Sequence, residues 1–285
     1  MRTLILGGRG MLGQAVLARV RRSGSAALAL SHRQADITDP STLCYWADTF
    51  RPQLIVNCAA LTRVDDCETE VDEAMQVNGE AVANVVAMAA RVEARLIQVS
   101  TDYVFDGSGT KPYREQDETG PRSVYGRSKL LGESHALAYE RSLVVRVSWL
   151  FGPGGGNFVA TMLRLIRQGH RHLRVVDDQV GAPTYTGYLA AALLQLAETP
   201  TSGLLHYRNR EAVSWYDFTR EIVRQWDPTV EVEPVSTEAF PRPAPRPEFS
   251  VLDIETCQRA LGRPVEAWSA GLAEYLAEFR RGTHL

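Results

Sequence analysis

The first half of the chain alternates short apolar runs with longer segments whose apolar positions recur at helical spacing. Short apolar runs predict β-strands, and a three-to-four-residue period predicts helices. The predicted strands cover residues 3–6, 26–30, 54–57, 95–100 and 143–148, and the predicted helices cover 10–22, 40–50, 71–91 and 125–139. Alternating strands and helices of this kind predict an α/β fold with a doubly wound parallel sheet, covered by helices on both faces.

The pattern becomes less regular after residue 149. A glycine-rich loop at 152–156 precedes predicted helices at 157–168 and 186–197, a short strand at 175–179, a proline-rich segment at 241–247 and a last amphipathic helix at 264–281. We therefore expect a first domain over residues 1–150 that also takes a strand from 171–200. Residues 151–285 are expected to form mainly a smaller, interleaved α/β lobe.

Composition narrows the class of protein. The chain has 285 residues and a net charge of −3, which argues against a general nucleic-acid-binding protein. No apolar run reaches the ~20 residues that a membrane span needs. The four cysteines show no metal-binding spacing, so we expect free thiols and a cytoplasmic protein.

A glycine-rich loop follows the first predicted strand. It contains Gly7, Gly10 and Gly13, with Met11 and Leu12 between the last two. Glycines allow a tight turn and a close approach of the backbone to a pyrophosphate, and the helix N-terminus that follows offers free N–H groups. The loop therefore predicts a dinucleotide site.

The end of the second predicted strand indicates which dinucleotide is bound. An NAD site usually has an acidic residue there for the ribose 2′-hydroxyl. This chain instead has Ser31 and Arg33, with Arg9 in the glycine loop. Guanidinium groups pair well with phosphate oxygens. The sequence therefore predicts NADPH, with NADH as the alternative.

Tyr125 and Lys129 form a YxxxK motif in a predicted helix. Residues four apart share a helix face, so the phenol and the ammonium can point into one cleft. A nearby ammonium lowers the pKa of a phenol, which favours proton transfer near neutral pH. Thr101, with Ser100 as the alternative, ends a predicted strand, where ligands of parallel sheets bind. Its hydroxyl can bind a carbonyl that is being reduced.

Together these features resemble the extended short-chain dehydrogenase/reductase superfamily, which has a Rossmann fold, and within it the dTDP-4-dehydrorhamnose reductases. The resemblance extends to the strings at 36–39, 56–60, 100–107, 125–133, 146–149 and 178–184. It implies NADPH-dependent reduction of the C4 keto group of dTDP-4-dehydro-6-deoxy-L-mannose to dTDP-L-rhamnose.

The resemblance also implies a role for each matching residue. Tyr125 would protonate the C4 oxygen, Lys129 would bind the nicotinamide ribose, and Thr101 would orient the carbonyl. Besides the glycine loop, the cofactor would contact Ser31, Arg33, Asp36, Ile37, Cys58, Ala59, Ala60 and Thr62. The nucleotide sugar would contact Asp102, Val104, Phe105, Trp149 and Asn157. Arg246, between two prolines, could bind its pyrophosphate as a fork.

Some family members dimerise around a metal held by acidic residues after the last glycine of the loop. Here Gln14-Ala15-Val16 follows Gly13, so we expect no metal and either a monomer or a homodimer without a metal bridge. Two alternatives stay open. One is another nucleotide-sugar epimerase, dehydratase or ketoreductase of the superfamily. The other is a non-catalytic regulatory subunit like that of methionine adenosyltransferase.

Overall fold

Six parallel strands form the central sheet of the computed structural model, which describes residues 1–282. Their order is β10-β5-β4-β3-β1-β2. The strands are β1 (Thr3–Leu6), β2 (Ala27–Leu30), β3 (Leu54–Asn57), β4 (Arg95–Thr101), β5 (Ser142–Val147) and β10 (Gly203–Tyr207). The order in which the chain adds its strands reverses between β1 and β3, so the predicted doubly wound α/β fold is confirmed. Ligands of such sheets bind at the carboxyl ends of the strands beside this switch point.

The sixth strand of this sheet was placed wrongly from the sequence. It is Gly203–Tyr207, which pairs with β5, and not a strand from 171–200. The strand in that range, β7 (His172–Val176), pairs with β12 (Glu231–Val235) in a separate two-stranded sheet. Both strands have five residues, and only the tertiary contacts decide which one extends the large sheet.

Helices cover both faces of the sheet. The alternation of side chains in β1 sends Ile5 towards α1 and α8, and Leu4 and Leu6 towards α2 and α5. The helices are α1 (Met11–Arg22), α2 (Pro40–Phe50), α3 (Val64–Cys67), α4 (Val71–Ala74), α5 (Ala81–Arg91), α6 (Val124–Leu137), α7 (Phe158–Arg167), α8 (Thr186–Ala197), α9 (Trp215–Trp226), α10 (Glu255–Leu261) and α11 (Trp268–Arg280).

The second half of the chain has its own hydrophobic cluster, built from α7, α9, α11 and β7. Short strands complete this half: β6 (Leu150–Phe151) pairs with β9 (Thr184–Tyr185), and β8 (Val180–Gly181) pairs with β11 (Val213–Ser214). Within residues 1–282 no helix has both the length and the apolar character needed to cross a bilayer.

The predicted helix at 71–91 is interrupted by a π-helical turn, Met75–Glu80. The wider turn directs Asn78 towards the loop after β3, where its amide accepts from Leu61 N (2.8 Å) and donates to Leu61 O (3.0 Å). The same amide donates to Ser128 Oγ on α6 (3.1 Å). A methyl group at Gly132 would collide with the Asn78 carbonyl, so glycine permits α6 to pack directly on this turn.

Candidate active site

The glycine loop packs so tightly that side chains are excluded at two positions. Gly7 has φ +71°, and a Cβ there would lie 2.6 Å from Ala59 N. A Cβ at Gly13 would lie 2.5 Å from the Gly7 carbonyl oxygen. Because only glycine tolerates these conditions, the loop keeps a bare backbone at the edge of the sheet.

The start of α1 is suited to an anion. Gly10 is the N-cap, has no side chain to bind the free N–H groups, and is followed by a first turn without acidic residues. Met11 is half-buried and Leu12 is buried, with Leu12 anchoring the helix in the core. The N–H groups of this first turn are therefore the groups that fit a dinucleotide pyrophosphate.

The end of β2 carries the cationic group expected for a 2′-phosphate. Arg33 and Arg9 are exposed. Ser31 is buried, and its hydroxyl donates to Gln34 Oε1 (2.8 Å). The arginines are thus available to a phosphate, whereas the Ser31 side chain is held in a local turn.

Asp36 and Ile37 were expected to contact the adenine end of the cofactor, and both form hydrogen bonds with neighbouring residues. Asp36 accepts from the backbone N–H (2.9 Å) and hydroxyl (2.8 Å) of Thr38. The Ile37 side chain is buried in the core beneath the sheet, and its carbonyl accepts from Asn84 (3.0 Å). Contact between Ile37 and a cofactor would therefore involve its backbone and not its side chain.

The loop after β3 forms the facing wall. Cys58, Ala59 and Ala60 are half-buried, and Thr62 is exposed. Asn57 shapes this loop, since its side chain accepts from Ala59 N (3.1 Å) and donates to Gln98 (2.8 Å). Burial raises the pKa of the Cys58 thiol to about 12, so Cys58 lines the wall without acting as a thiolate.

Thr101, Asp102 and Tyr125 meet at the carboxyl end of β4. The Thr101 hydroxyl donates to Asp102 Oδ1 (3.0 Å) and accepts from Tyr103 N (3.2 Å). Burial raises the pKa of the Tyr125 phenol, and a hydrogen bond with Thr101 opposes that rise. The direction is opposite to the sequence-based expectation of a lowered pKa. The phenol therefore stays protonated across the neutral range and can act as a proton donor.

Lys129 is buried one helical turn after Tyr125, and its Nζ donates to the Val99 carbonyl (2.6 Å). Burial lowers the pKa of this ammonium to about 8, while Glu133 raises it. An ammonium has three donors, so the bond to Val99 leaves capacity for a ribose hydroxyl.

Asp102 is a buried carboxyl group beside the two hydroxyls. Burial raises its pKa to about 6, and hydrogen bonds from Ser250 and Thr101 oppose the rise. Ser250 follows β12 in the chain, so the second half of the protein reaches the edge of the large sheet here.

Two further residues that were expected to contact the substrate do not lie beside Thr101 and Asp102. Val104 and Phe105 belong to a hydrophobic cluster, and Phe105 stacks on Tyr113 at 4.2 Å. Both side chains are therefore part of the core and not of the cleft wall. They lie at the end of a 3₁₀ turn, Asp102–Val104, that the apolar pattern did not reveal.

Asn157 caps α7 and closes the glycine-rich loop before it. Its Oδ1 accepts from Ala160 N (3.0 Å), and its Nδ2 lies within hydrogen-bond distance of Gly152 O (2.9 Å) and Tyr275 Oη (3.2 Å). These bonds occupy both ends of the amide, so the structure assigns Asn157 to loop closure, where the sequence suggested a sugar contact.

Trp149 has the backbone strain often found at functional sites. Its φ is +46°, which is unfavourable for a large side chain. Its ring stacks on Trp215 with centroids 3.4 Å apart and planes within 4°. Gly181 is in such close contact with the indole of Trp149 that a methyl group there would collide with the ring. The ring is therefore held in one orientation.

Arg246 is directed at the site but is already paired. Its Nη2 lies 2.9 Å from Asp65 Oδ1, and the same oxygen accepts from Ala244 N (3.3 Å). Burial raises the pKa of Tyr103 and the nearby Arg246 opposes that rise. The Tyr103 ring packs edge-on against Tyr125 at 5.7 Å. No sequence motif around Asp65 indicated that it pairs with this arginine.

These features define a protein of the short-chain dehydrogenase/reductase type: a doubly wound sheet, a bare glycine loop, and a threonine, a tyrosine and a lysine gathered at one edge. Among the described residues no group of three or more histidine, cysteine or acidic side chains is placed to hold a metal ion. The chain belongs to the RmlD substrate binding domain family, whose model matches residues 1–281.

Comparison with known proteins agrees with this assignment over the full length of the chain. A dTDP-4-dehydrorhamnose reductase from Streptomyces griseus is 42% identical over 282 residues, covering 96% of this chain and 92% of that protein. The crystal structure of a dTDP-4-dehydrorhamnose reductase from Clostridium acetobutylicum is 37% identical, with a TM-score of 0.94, covering 98% and 100%. The Bacillus anthracis enzyme, solved in complex with NADP, is 34% identical, with a TM-score of 0.93, covering 97% and 99%.

Proposed function

We propose that this protein reduces the C4 keto group of dTDP-4-dehydro-6-deoxy-L-mannose with NADPH, giving dTDP-L-rhamnose. The observation that carries the proposal is the contact between the Thr101 and Tyr125 hydroxyls at the carboxyl end of β4, with Lys129 one helical turn away. The name of the Streptomyces griseus relative and the NADP bound to the Bacillus anthracis relative support it.

NADPH fits the residues that line the cleft, and when bound it would supply a hydride ion, one hydrogen with two electrons, to the ketone carbon. The bare backbone of Gly7–Gly13 and the N-terminus of α1 would hold its pyrophosphate. Arg33 and Arg9 would pair with the 2′-phosphate, and the Lys129 ammonium would bind the nicotinamide ribose.

The protein's own groups manage the proton and the carbonyl. With substrate bound, the Thr101 hydroxyl would turn from Asp102 to donate to the C4 oxygen and orient it, and Tyr125 would donate the proton to that oxygen. Because burial raises the pKa of Tyr125, the phenol is protonated before the reaction. One hydride ion at C4 from bound NADPH and one proton at the oxygen from Tyr125 would together convert the ketone into the alcohol, so no further reactant is needed.

The two halves of the chain have different proposed tasks. Residues 1–150 would bind the dinucleotide, and residues 151–285 would mainly bind the nucleotide sugar, with Trp149 and Arg246 at their boundary. We also propose a cytoplasmic protein, supported by four free cysteines, that acts as a monomer or as a homodimer without a metal bridge.

The experiment is an NADPH-oxidation assay on dTDP-4-keto-L-rhamnose with the wild type and Tyr125→Phe. Loss of the proton donor should lower kcat by roughly 10²–10⁴. A decrease below about tenfold would mean that Tyr125 is not the proton source. Phenylalanine keeps the packing against Tyr103, so NADPH binding should be retained.

The same assay separates the alternatives. An epimerase or dehydratase regenerates its cofactor, so it would not consume one NADPH for each product. A regulatory subunit would form a stable complex with a partner enzyme and oxidise no NADPH on any keto sugar. Replacing dTDP by UDP in the substrate tests the choice of nucleotide, which combines the base methyl group and the 2′-hydroxyl.

A further inference from the structure

A buried ion pair lies directly behind the catalytic residues. Arg146 on β5 donates two hydrogen bonds to Glu133 on α6, from Nε to Oε1 (2.8 Å) and from Nη2 to Oε2 (2.7 Å). The two side chains are only 4% and 2% exposed. Apolar residues of similar size usually stabilise a core at least as well as a buried ion pair. The charges at this position therefore call for a reason other than stability.

The carboxylate of Glu133 joins two catalytic elements. Ser100, which precedes Thr101 at the end of β4, donates to Glu133 Oε1 at 2.5 Å. Along α6, Glu133 follows Lys129 by one turn and Tyr125 by two, and residues at this spacing share a helix face. One side chain thus fixes the position of α6 relative to the end of β4.

The same carboxylate is the acidic group that faces Lys129. Burial lowers the pKa of Lys129, and Glu133 raises it. From the other elements packed against the ammonium come the Cys58 thiol after β3, protonated because its pKa is near 12, and the Val99 carbonyl of β4. Glu133 therefore supplies the negative charge that keeps the buried Lys129 a cation.

Arg146 is held in turn by neutral groups. Its guanidinium lies over the Phe105 ring at 5.0 Å, and its Nη1 lies 3.4 Å from His206 Nε2 on β10. Burial and the nearby Arg146 lower the pKa of His206 to about 3, so this histidine is uncharged at neutral pH. Arg146 accordingly has Glu133 as its charged partner in this pocket.

We propose that Glu133 is a positioning residue for the reductase centre, which holds α6 against the end of β4 and keeps the Lys129 ammonium charged for cofactor binding. Arg146 is its counterion in the core. This inference rests on the proposed function, because the ribose contact of Lys129 belongs to that function.

The chain allows a direct test, because it contains only two lysines, Lys111 and Lys129. Protein labelled with [ε-¹³C]lysine should give two side-chain NMR signals, which Lys111→Arg assigns. Titrating the Lys129 signal reports its pKa without substrate or turnover. Glu133→Asp and the double variant Glu133→Gln/Arg146→Met are compared with the wild type. The double variant is neutral, so it avoids an unpaired buried charge.

In the double variant the Lys129 pKa should fall by about one unit, since an opposite charge has been removed. The alkaline limb of the pH profile for kcat/KM with NADPH should move to lower pH by about the same amount. Glu133→Asp retains the charge, so its Lys129 pKa should stay near the wild-type value. Its kcat should decrease, because the shorter side chain draws α6 and β4 into a different spacing.

The matched control is Glu221→Gln on α9. Glu221 also receives a two-point bond from an arginine, Arg224, through Nε (2.7 Å) and Nη2 (2.6 Å), but this pair is on the surface. Glu221→Gln should leave the Lys129 titration and the pH profile unchanged. A shift in this variant would show that the signal reports general loosening of the fold.

An unchanged Lys129 pKa in a folded double variant would overturn the proposal and leave Glu133 a purely structural residue. Failure of the proposed function would look different. In that case the Lys129 titration would still respond to the double variant, while the wild type would oxidise no NADPH on the keto sugar.

Discussion

Asp65 and Arg246 are 181 positions apart in the chain, yet Oδ1 of the first lies 2.9 Å from Nη2 of the second. The pair links the segment after β3 to the proline-rich segment at 241–247 and lies beside Tyr103. Asp65 therefore occupies the guanidinium that the family resemblance assigns to the pyrophosphate of the nucleotide sugar. Substrate binding would exchange one anionic partner of Arg246 for another.

Asp65→Asn should strengthen substrate binding. Asparagine keeps an oxygen that can accept from Ala244 N, but it removes the charge that competes for Arg246. The pair is partly exposed, so its loss is worth at most about 1 kcal/mol, and the KM for the nucleotide sugar should fall by up to about fivefold. Steady-state kinetics at constant ionic strength would measure this.

Arg246→Ala should have the opposite effect and raise this KM by about tenfold or more, because a charged hydrogen bond is lost. The control is Arg242→Ala, since Arg242 lies 3.9 Å from Asp65 and is more exposed. Equal KM values for all the variants would show that Arg246 does not contact the substrate.

Gly7→Ala should destabilise the fold more than Gly24→Ala does, and it should also disrupt the dinucleotide site. Both glycines have φ +71°, but the Gly24 Cβ would meet no atom within 4 Å, whereas that of Gly7 would meet Ala59 N at 2.6 Å. Gly24→Ala therefore reports the backbone cost alone, about 1–2 kcal/mol.

Gly7→Ala adds the collision to that cost, so its free energy of unfolding should decrease by at least about 1 kcal/mol more. Urea denaturation measures both variants, and quenching of tryptophan fluorescence by NADPH measures binding. Retention of wild-type NADPH affinity in folded Gly7→Ala would contradict the assignment of this loop to the cofactor.

Asp102→Asn should make the protein more stable and less active. The pKa of Asp102 is about 6 in the folded protein against 3.8 ordinarily. The folded state therefore binds more protons than the unfolded state between about pH 4 and 6, and the ionised group destabilises the fold above that window. At 1.36 kcal/mol per pKa unit, the variant should be about 3 kcal/mol more stable at pH 7.

The stability difference between wild type and Asp102→Asn should shrink to about 0.5 kcal/mol near pH 4, where the folded-state carboxyl is neutral and only the unfolded-state carboxyl is still partly ionised. Urea denaturation at pH 4 and pH 7 tests this. In the keto-sugar assay kcat/KM should fall by about 10–100-fold, the effect of losing a charged hydrogen bond to the substrate. Unchanged activity would leave Asp102 outside the substrate site.

Arg33→Ser should change the choice of cofactor and little else. Arg33 is exposed at the end of β2, so its removal should not destabilise the fold. The Kd for NADPH should rise by about 10–100-fold, while the Kd for NADH should stay nearly constant. Arg51→Ser, at an exposed position distant in the chain, serves as the control. Parallel losses for both cofactors would rule out a 2′-phosphate contact.

Local patterns were sufficient for the first half of the fold. The strand at Thr3–Leu6, the glycines after it and the helix that follows are each specified by neighbours in the chain, and the structure has them in place. The same is true of the helix that carries Tyr125 and Lys129. Its start is fixed by Ser123, whose hydroxyl accepts from Gly126 N at 3.1 Å.

Tertiary contacts decided the rest. The strand Gly203–Tyr207 contains His206, which is buried and neutral only because β5 and the loop at Tyr113 surround it. Phe105 was expected in the cleft, but the turn before it directs its ring onto Tyr113. The partner of Arg246 also lies far away in the chain, so no motif around residue 246 could reveal Asp65.

The π-helical turn at Met75–Glu80 limits where residues can be inserted into or deleted from this chain. The Asn78 amide is hydrogen-bonded both to Leu61 in the loop after β3 and to Ser128 on α6. It can reach both residues only while the turn contains the extra residue of a π-helix. Deleting one residue there would restore a regular helix, rotate everything before it by about 100° and withdraw the amide from Leu61 and Ser128. Insertions and deletions should therefore be tolerated at surface turns such as Gly24, but not within these six residues, although they contain no group that takes part in the chemistry.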